Sequence, residues 1–356
     1  MRLTPRTHVP RWLTPLLAVL ALGLTLALTA GPIRLAGANP SAAFNYYLLR
    51  PLTSTYSILE VLLAAIPLMF TGLAALVAFR SGYYNIGGEG QFIAGAIAAT
   101  AIAAFLPGLP ALVALPLALA GGALAGALWG LVPALLRVRR GIDEVVTTLL
   151  LNPVALLLVQ GLLNGPWRNP ETGFPESAPL PTAYQLPRLI PGARLHAGII
   201  VALLIALAIW ITLRHTALGL ESRAVGLSPH AAAFSGIRVE RTMLKGALTS
   251  AAIAGVGGAS QVMGLQHRLT GEVSLGFGYT GIIVATLAAL IVPAAIAAAV
   301  LIATITVGAE SAARALQLPP QMGRVMTATL LLVTVCIVLF RRYRIVGWRR
   351  ILRRRT

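Results

Sequence analysis

The chain has 356 residues, of which 57% are hydrophobic and only 11% charged, and its formal net charge is +18 at pH 7. Soluble domains carry roughly 25% charged residues, so this composition, with a mean hydropathy of +0.83, excludes an ordinary water-soluble enzyme. The positive charge does not point to nucleic acid, because the basic residues gather at the ends of long apolar stretches, where membrane topology accounts for them.

Only helices and closed barrels satisfy their backbone groups in hydrocarbon. A spanning helix needs about 20 mostly apolar residues, and barrel strands are alternating segments of ~10. This chain has ten long, continuously apolar stretches, so the expected fold is an all-α integral membrane protein, a polytopic bundle of about ten transmembrane helices. The expected spans are 13–30, 56–79, 85–106, 111–136, 143–163, 197–214, 245–265, 279–292, 294–309 and 323–340.

The first stretch follows Arg2, Arg6 and Arg11 and so resembles a secretory signal. It is longer than the usual apolar core of one, and Gly31-Pro32 follows without a small-residue cleavage pair, so it reads as an uncleaved span. Gly122, Gly126 and Gly130 share one face of span four, and Gly255, Gly257, Gly258 and Ala259 crowd span seven. Such faces let helices approach closely in lipid. Spans eight and nine are short and separated only by Val292-Pro293, so this pair could instead be broken or re-entrant. Cys336, inside the last stretch, reads as a small buried hydrophobe.

Ten spans put both termini on one side, and twenty of the 28 Lys and Arg fall on that side. It is therefore expected to be cytoplasmic. The organisation follows: a basic cytoplasmic N-terminus over 1–12, a transmembrane domain over 13–340 with a cytoplasmic segment at 215–244, and a basic tail over 341–356. The tail is suited to anionic membrane lipid.

Three segments could carry function. In the first, Asn85-Ile86-Gly87-Gly88-Glu89-Gly90-Gln91, a carboxylate and two amides lie at the start of span three among glycines that permit a tight turn. A carboxylate near hydrocarbon is costly and is usually kept for function or for a tight pairing. Glu89 therefore reads either as part of a gate or path, or as a satisfied turn with its carboxylate on backbone amides at a helix start. In the second, Asp143 and Glu144 complement the dipole at the start of span five. Thr147, Thr148 and Asn152 are read as polar groups at membrane depth, with Thr148 and Asn152 on one face. Such groups bind a neighbouring helix or line a pathway. In the third, Ser228 is a good N-cap, Pro229 suits the first helical position and Gly236 the stop. A short helix over 229–235 should thus expose His230 and Phe234 on the cytoplasmic face.

No phosphate-binding Gly-x-x-x-x-Gly-Lys-Ser/Thr loop occurs, so the chain has no ATPase motif of that kind. No His/Cys cluster has metal spacing, and the five histidines, His8, His196, His215, His230 and His267, are dispersed, mostly at expected surfaces.

Taken together, the three segments resemble the permease subunits of bacterial ABC importers in the branched-chain amino acid, ribose and nucleoside superfamily. Asn85 to Gln91 is similar to the Asn-Ile-Gly-x-Glu-Gly-Gln segment of the nucleoside and simple-sugar branch. Glu144-Val145-Val146-Thr147-Thr148 with Leu151-Asn152 resembles its second signature, and Arg223-Ala224-Val225-Gly226 through Gly236-Ile237 its coupling segment. The resemblance covers about 55–340. It implies a transporter subunit in the bacterial inner membrane, with no cofactor of its own and ATP used by a partner. The implied partners are a cytoplasmic ABC ATPase, a second permease subunit and an extracytoplasmic substrate-binding protein. The implied path or gate residues are Asn85, Glu89, Gln91, Thr147, Thr148 and Asn152. The implied ATPase-coupling residues are Arg223, Gly226, Pro229, His230, Phe234 and Gly236. One departure stands out: the family's polar or basic turn between spans eight and nine is here Ala289-Leu290-Ile291-Val292-Pro293. The alternatives are a branched-chain amino acid permease of the same superfamily and an ion-coupled secondary transporter. The latter would need an intramembrane carboxylate, for which Glu60, Glu89 and Glu310 are the candidates.

Overall fold

Each of the ten apolar stretches contains a helix in the computed structural model, which describes residues 2–5, 13–319 and 321–346. After a short strand β1 (Arg2–Pro5) come α1 (Leu13–Leu35) and α2 (Pro40–Phe44), then α3 (Thr55–Arg80), α4 (Gly88–Phe105), α5 (Ala111–Arg140) and α6 (Glu144–Asn164). Next are α7 (Gly198–His215), α8 (Ala217–Leu227), α9 (Pro229–Phe234) and α10 (Val239–Gln261), which a π-helical turn extends through Val262–Gln266. The chain continues through α11 (Phe277–Leu287), α12 (Val292–Leu316), α13 (Gln321–Arg342) and strand β2 (Tyr343–Val346). The basic residues Arg6, Arg11, Arg349, Arg350, Arg353, Arg354 and Arg355 lie outside the described residues.

Among the described residues, seven helices are long and apolar enough to cross a membrane: α3, α4, α5, α6, α7, α12, and α10 with its extension. Span eight differs from expectation. Instead of 279–292, α11 has 11 residues, about 16 Å at 1.5 Å per residue, half the ~30 Å of hydrocarbon. It ends in a turn where Ala289 and Leu290 both take left-handed φ values, 50° and 61°, and Arg80 Nη1 donates to the Leu290 carbonyl at 3.4 Å. Cys336 is exposed rather than buried, because it sits on an outward face of α13.

The chain divides into two compact units, Thr55–Ala303 and Met1–Ser54 with Thr304–Thr356. In the second unit, α1 packs against α13, and β1 pairs antiparallel with β2 from Arg2↔Val346 to Pro5↔Tyr343. This small ribbon, which the all-α expectation did not include, holds residues 2–5 and 343–346 side by side. Gly308 of α12 seats against the backbone of Tyr46 and Tyr47.

The larger unit is built around α3, which is buried along most of its length from Val61 to Ala78. A helix apolar on every side belongs inside a bundle. By contrast, α5 buries one narrow stripe, Ala114, Ala118, Gly122, Gly126 and Gly130, and exposes Leu124, Leu128 and Val132. Apolar side chains on that outer face suit lipid rather than water.

The two small-residue faces anticipated in spans four and seven meet each other. A Cβ added at Gly255 of α10 would collide with the Gly122 carbonyl oxygen, and one at Gly126 of α5 would collide with that of Ala251. The obstacles are backbone atoms, which cannot rotate aside. On the other side of α10, Gly258 lies as tightly on the Phe92 carbonyl of α4.

The long connection between α6 and α7 is tied down at several points. Ser177, Leu180 and Leu186 donate backbone hydrogen bonds to Leu269, His267 and Met263, and the Tyr184 hydroxyl reaches the Leu106 carbonyl at 2.6 Å. His196 is not at the surface as anticipated. It is buried, its Nδ1 accepts from Gly198 N–H at 3.1 Å, and burial, then His267, push its pKa down to about 4. Glu60 of α3 pairs with Arg194 of this connection.

The α5–α10 contact yields a sharp test. Gly255→Ala should destabilise the protein by about 1–3 kcal/mol through overpacking and lower its melting temperature in detergent. Gly161→Ala, with nothing within 4 Å of the new methyl, should leave that temperature unchanged or raise it.

Candidate functional site

After Arg80 the chain does not turn directly into the next helix. Residues 81–87 run as an irregular segment in which Ser81, Tyr83 and Asn85 are buried, and α4 begins only at Gly88. Non-helical backbone inside a membrane bundle must find partners in neighbouring helices, and it does so here. The Ile86 N–H donates to Thr148 Oγ1 at 3.1 Å, and the Ile86 carbonyl accepts from Asn152 Nδ2 at 3.0 Å. Tyr84 N–H donates to Glu144 Oε1 at 3.1 Å.

The Asn85 side chain organises the rest of the turn. Its Nδ2 donates to Gln91 Oε1 at 2.8 Å and to Ser250 Oγ at 3.0 Å. Its Oδ1 accepts from Gln91 Nε2 at 3.1 Å and from Gly87 N–H at 2.9 Å. The paired amides of Asn85 and Gln91 thereby satisfy each other on both edges.

Glu89 stands in the first turn of α4, whose N-cap Gly87 offers no side-chain cap. Its carboxylate turns to a second helix start. Oε1 accepts from Gly276 N–H at 3.1 Å and Oε2 from Gly278 N–H at 2.7 Å. Gly276, with φ 88°, is the N-cap of α11 and has no side chain to cap it. Glu89 supplies that cap from another helix. Two helix N-termini, each the positive end of a dipole, converge on one buried carboxylate. The approach is so close that a Cβ at Gly278 would collide with Glu89 N.

From the other side α6 presents a buried stripe of Glu144, Thr148, Asn152, Ala155, Val159 and Leu163. Asn152 Oδ1 accepts from Gly90 N–H at 2.9 Å, and its Nδ2 also reaches the Tyr279 hydroxyl of α11 at 3.1 Å. Asp143 is the N-cap of α6, accepting from Val145 N–H at 2.8 Å. Glu144 does more than complement the dipole: it is buried and pairs with Arg137 of α5 at 3.1 Å.

Asn85, Glu89, Gln91, Thr148 and Asn152 thus lie in one buried network. Thr147 does not join it. It stands in the first turn of α6 rather than at depth, and its hydroxyl bonds the carbonyls of Asp143 and Glu144. The residues that sequence reasoning missed are Glu144, Ser250 and Tyr279. Only Glu144 carried a signal, the four-residue spacing Glu144, Thr148, Asn152 on one face.

On the basic face, the short helix forms as anticipated. Ser228 Oγ caps α9 by accepting from Ala231 N–H at 3.3 Å, and Gly236 takes φ 84° just past its end. Arg223, Pro229 and His230 are exposed, and Phe234 is 96% exposed. The preceding α8 was not anticipated, although Thr216 caps it in the same manner. Ala232 on the inner side of α9 packs with Val225 and Met243. Gly226 at the end of α8 lies directly on the Arg80 carbonyl, where the irregular segment begins.

A family model described as the permease component of branched-chain amino acid transport systems matches residues 57–335. A glucose ABC transporter permease protein of Haloferax volcanii is 34% identical, covering 97% of this chain and 93% of its own length. A guanosine ABC transporter permease protein of Bacillus subtilis is also 34% identical, over 83% of this chain and 85% of its own. A nucleoside ABC transporter permease protein of Lactococcus lactis is 30% identical over 83% of both chains. No solved structure matches.

The Glu89 cap predicts a local effect. Carboxylates at helix starts contribute about 0.3–1 kcal/mol, up to ~2 when partly buried, and 1–2 kcal/mol is a factor of about 5–30 in an equilibrium. Glu89→Gln should therefore reduce the hydrogen-exchange protection of the amides from Gly276 to Thr280 by that factor. Protection in α5 and α7 should not change.

Proposed function

The chain belongs to the family of permease components of branched-chain amino acid transport systems, and from that membership we propose that it is the transmembrane subunit of an ATP-driven importer of nucleosides or related sugars. The observation that carries the substrate class is the run of relatives named for guanosine, nucleosides and glucose, aligned over more than four-fifths of the chain. The side bearing Arg80, Arg137 and α9 is the cytoplasmic one, in a cytoplasmic membrane. The pairing of β1 with β2 supports placing both termini there, and ten crossings would include α11 as a partial one. The working body is then one permease domain over 13–340 with basic cytoplasmic ends.

In this reading the chain needs no cofactor, and ATP is used by a separate cytoplasmic ATPase. A second permease subunit and an extracytoplasmic binding protein complete the importer. The exposed Phe234 and His230, one turn apart on α9, are the docking face. The route inward is short: α9 packs on α8, and Gly226 of α8 rests on the carbonyl of Arg80. Arg80 leads directly into the segment holding Asn85, Glu89 and Gln91. A push on α9 would move the turn that clamps α11 to α4. Thr148 and Asn152 guide that turn from α6, and the path runs beside it.

The carboxylates that an ion-coupled transporter would use support the ATP-driven reading. Glu60 is paired with Arg194 and Glu89 is held by two backbone amides. Glu310 is exposed.

Co-expression with candidate ATPase and binding-protein subunits tests the proposal. ATP hydrolysis in proteoliposomes should rise on adding a nucleoside, and only when this chain and the binding protein are both present. Phe234→Asp should abolish co-purification of the ATPase while the permease itself elutes unchanged. An ATPase that remains bound to the Phe234→Asp variant overturns the docking assignment.

A further inference from the structure

Two cavities of opposite character adjoin on the basic face, apart from the network around Glu89. The first has a volume of about 400 Å³ and lies among α7, α10 and α3. Its walls are apolar, with Ile205, Ile209 and Leu213 from α7 facing Ile253 and Val256 from α10, and Val77 from α3. The second, about 270 Å³, is polar and contains Arg238, Arg241 and Lys245. Glu221, Thr242 and Lys245 line both, so the two share a mouth.

The apolar slot is a half-open groove, so its walls can be reached from outside the bundle. The neighbouring α5–α10 contact, by contrast, is tight to the point of excluding a methyl group. Water is a poor occupant, since an apolar cavity offers too few hydrogen-bond partners. The far side of α7 exposes Leu203, Leu204, Leu207 and Ile211, a face suited to lipid. The polar mouth is cationic. Arg238, Arg241 and Lys245 are exposed, and among the described residues none of them has an ion-pair partner. The one carboxylate at the mouth, Glu221, accepts from Thr242 Oγ1 at 3.4 Å.

An apolar slot that adjoins three cations fits an amphiphile with an anionic head. We propose that this is a binding site for one anionic phospholipid, with an acyl chain between α7 and α10 and its phosphate among Arg238, Arg241 and Lys245. The bilayer supplies that molecule at the level of the basic face, where clustered Lys and Arg favour anionic headgroups. The lipid would brace α8 against the start of α10, the two elements that carry α9 between them.

Native mass spectrometry of the full-length chain, delipidated in detergent, tests this. The probes are dioleoyl phosphatidylglycerol, dioleoyl phosphatidylcholine and inorganic phosphate. Phosphatidylglycerol should bind with one tight equivalent and phosphatidylcholine at least tenfold more weakly. Arg241→Gln with Lys245→Gln should weaken that equivalent roughly tenfold or more, and Lys245→Arg should retain it. Thr249→Trp, at an exposed position on the slot wall, should displace it while all three cations are retained in the sequence. Binding that both variants leave intact overturns the site. Competition by inorganic phosphate, with no effect of Thr249→Trp, would mean a free-anion site and would overturn the lipid assignment. Equal binding of the two lipids would overturn the role of the cations.

Discussion

The arrangement of the larger unit depends on one carboxylate. α11 begins at a glycine in a left-handed conformation and has no capping side chain of its own. Buried helix ends need partners for their free amides, and in a membrane bundle water does not supply them. Glu89 supplies them from the first turn of α4. The consequence runs both ways: the carboxylate needs donors to be tolerated among apolar helices, and the half-length helix needs an acceptor to start where it does. The start of α11 rests on that carboxylate, while the irregular segment at 81–87 is held by Glu144, Thr148 and Asn152 of α6 and by Gln91.

Around that clamp, the side chains of Asn85, Gln91, Thr148 and Asn152 are paired with one another or with backbone. Asn85 and Gln91 satisfy one another, Asn152 bridges the turn to Tyr279, and Thr148 takes the Ile86 amide. A satisfied network of this kind fixes one geometry, because any displacement leaves a polar group unpaired in a low-dielectric interior. The same region abuts Gly226 and so the helix proposed to meet the ATPase. A rigid turn placed between a docking helix and a half-helix can carry displacement from one to the other. The glycine contacts between α5 and α10 give that turn a firm wall to move against.

Much of this was legible in the residues, and for a physical reason. Apolar length reports on the bilayer directly, so each of the ten stretches holds a helix, and among the described residues seven are long and apolar enough to cross. The short helix after Ser228 was anticipated with its cap. The Gly122, Gly126, Gly130 stripe and the small residues of span seven each announced a close helix contact; that the two faces meet one another is seen only in the structure. Of the two readings open for Glu89, the backbone-amide one described its contacts. The amides nonetheless belong to α11, nearly 190 residues downstream, which no local pattern reveals. For span eight the bounds 279–292 ran too far, because the apolar run through Ala289-Leu290-Ile291 hides a turn made from left-handed residues that usually avoid it; the shortness of α11 agrees with the broken or re-entrant alternative. Thr147 was grouped with Thr148 by composition, yet adjacent positions on a helix face different ways. His196 looked like a surface residue because the loop that covers it folds back through backbone hydrogen bonds that carry no side-chain signature.

Held by two backbone amides, Glu89 is proposed to be a positioning carboxylate in an ATP-driven permease and not a carrier of coupling ions. That role is tested most directly by nucleoside uptake into proteoliposomes holding the assembled transporter, with wild-type chain and Glu89→Gln compared. The account predicts uptake that requires ATP on the ATPase side and ignores imposed proton or sodium gradients, and that falls in the variant without acquiring any gradient dependence. Uptake by the wild type that follows a proton or sodium gradient without ATP, and is lost in Glu89→Gln, would contradict it.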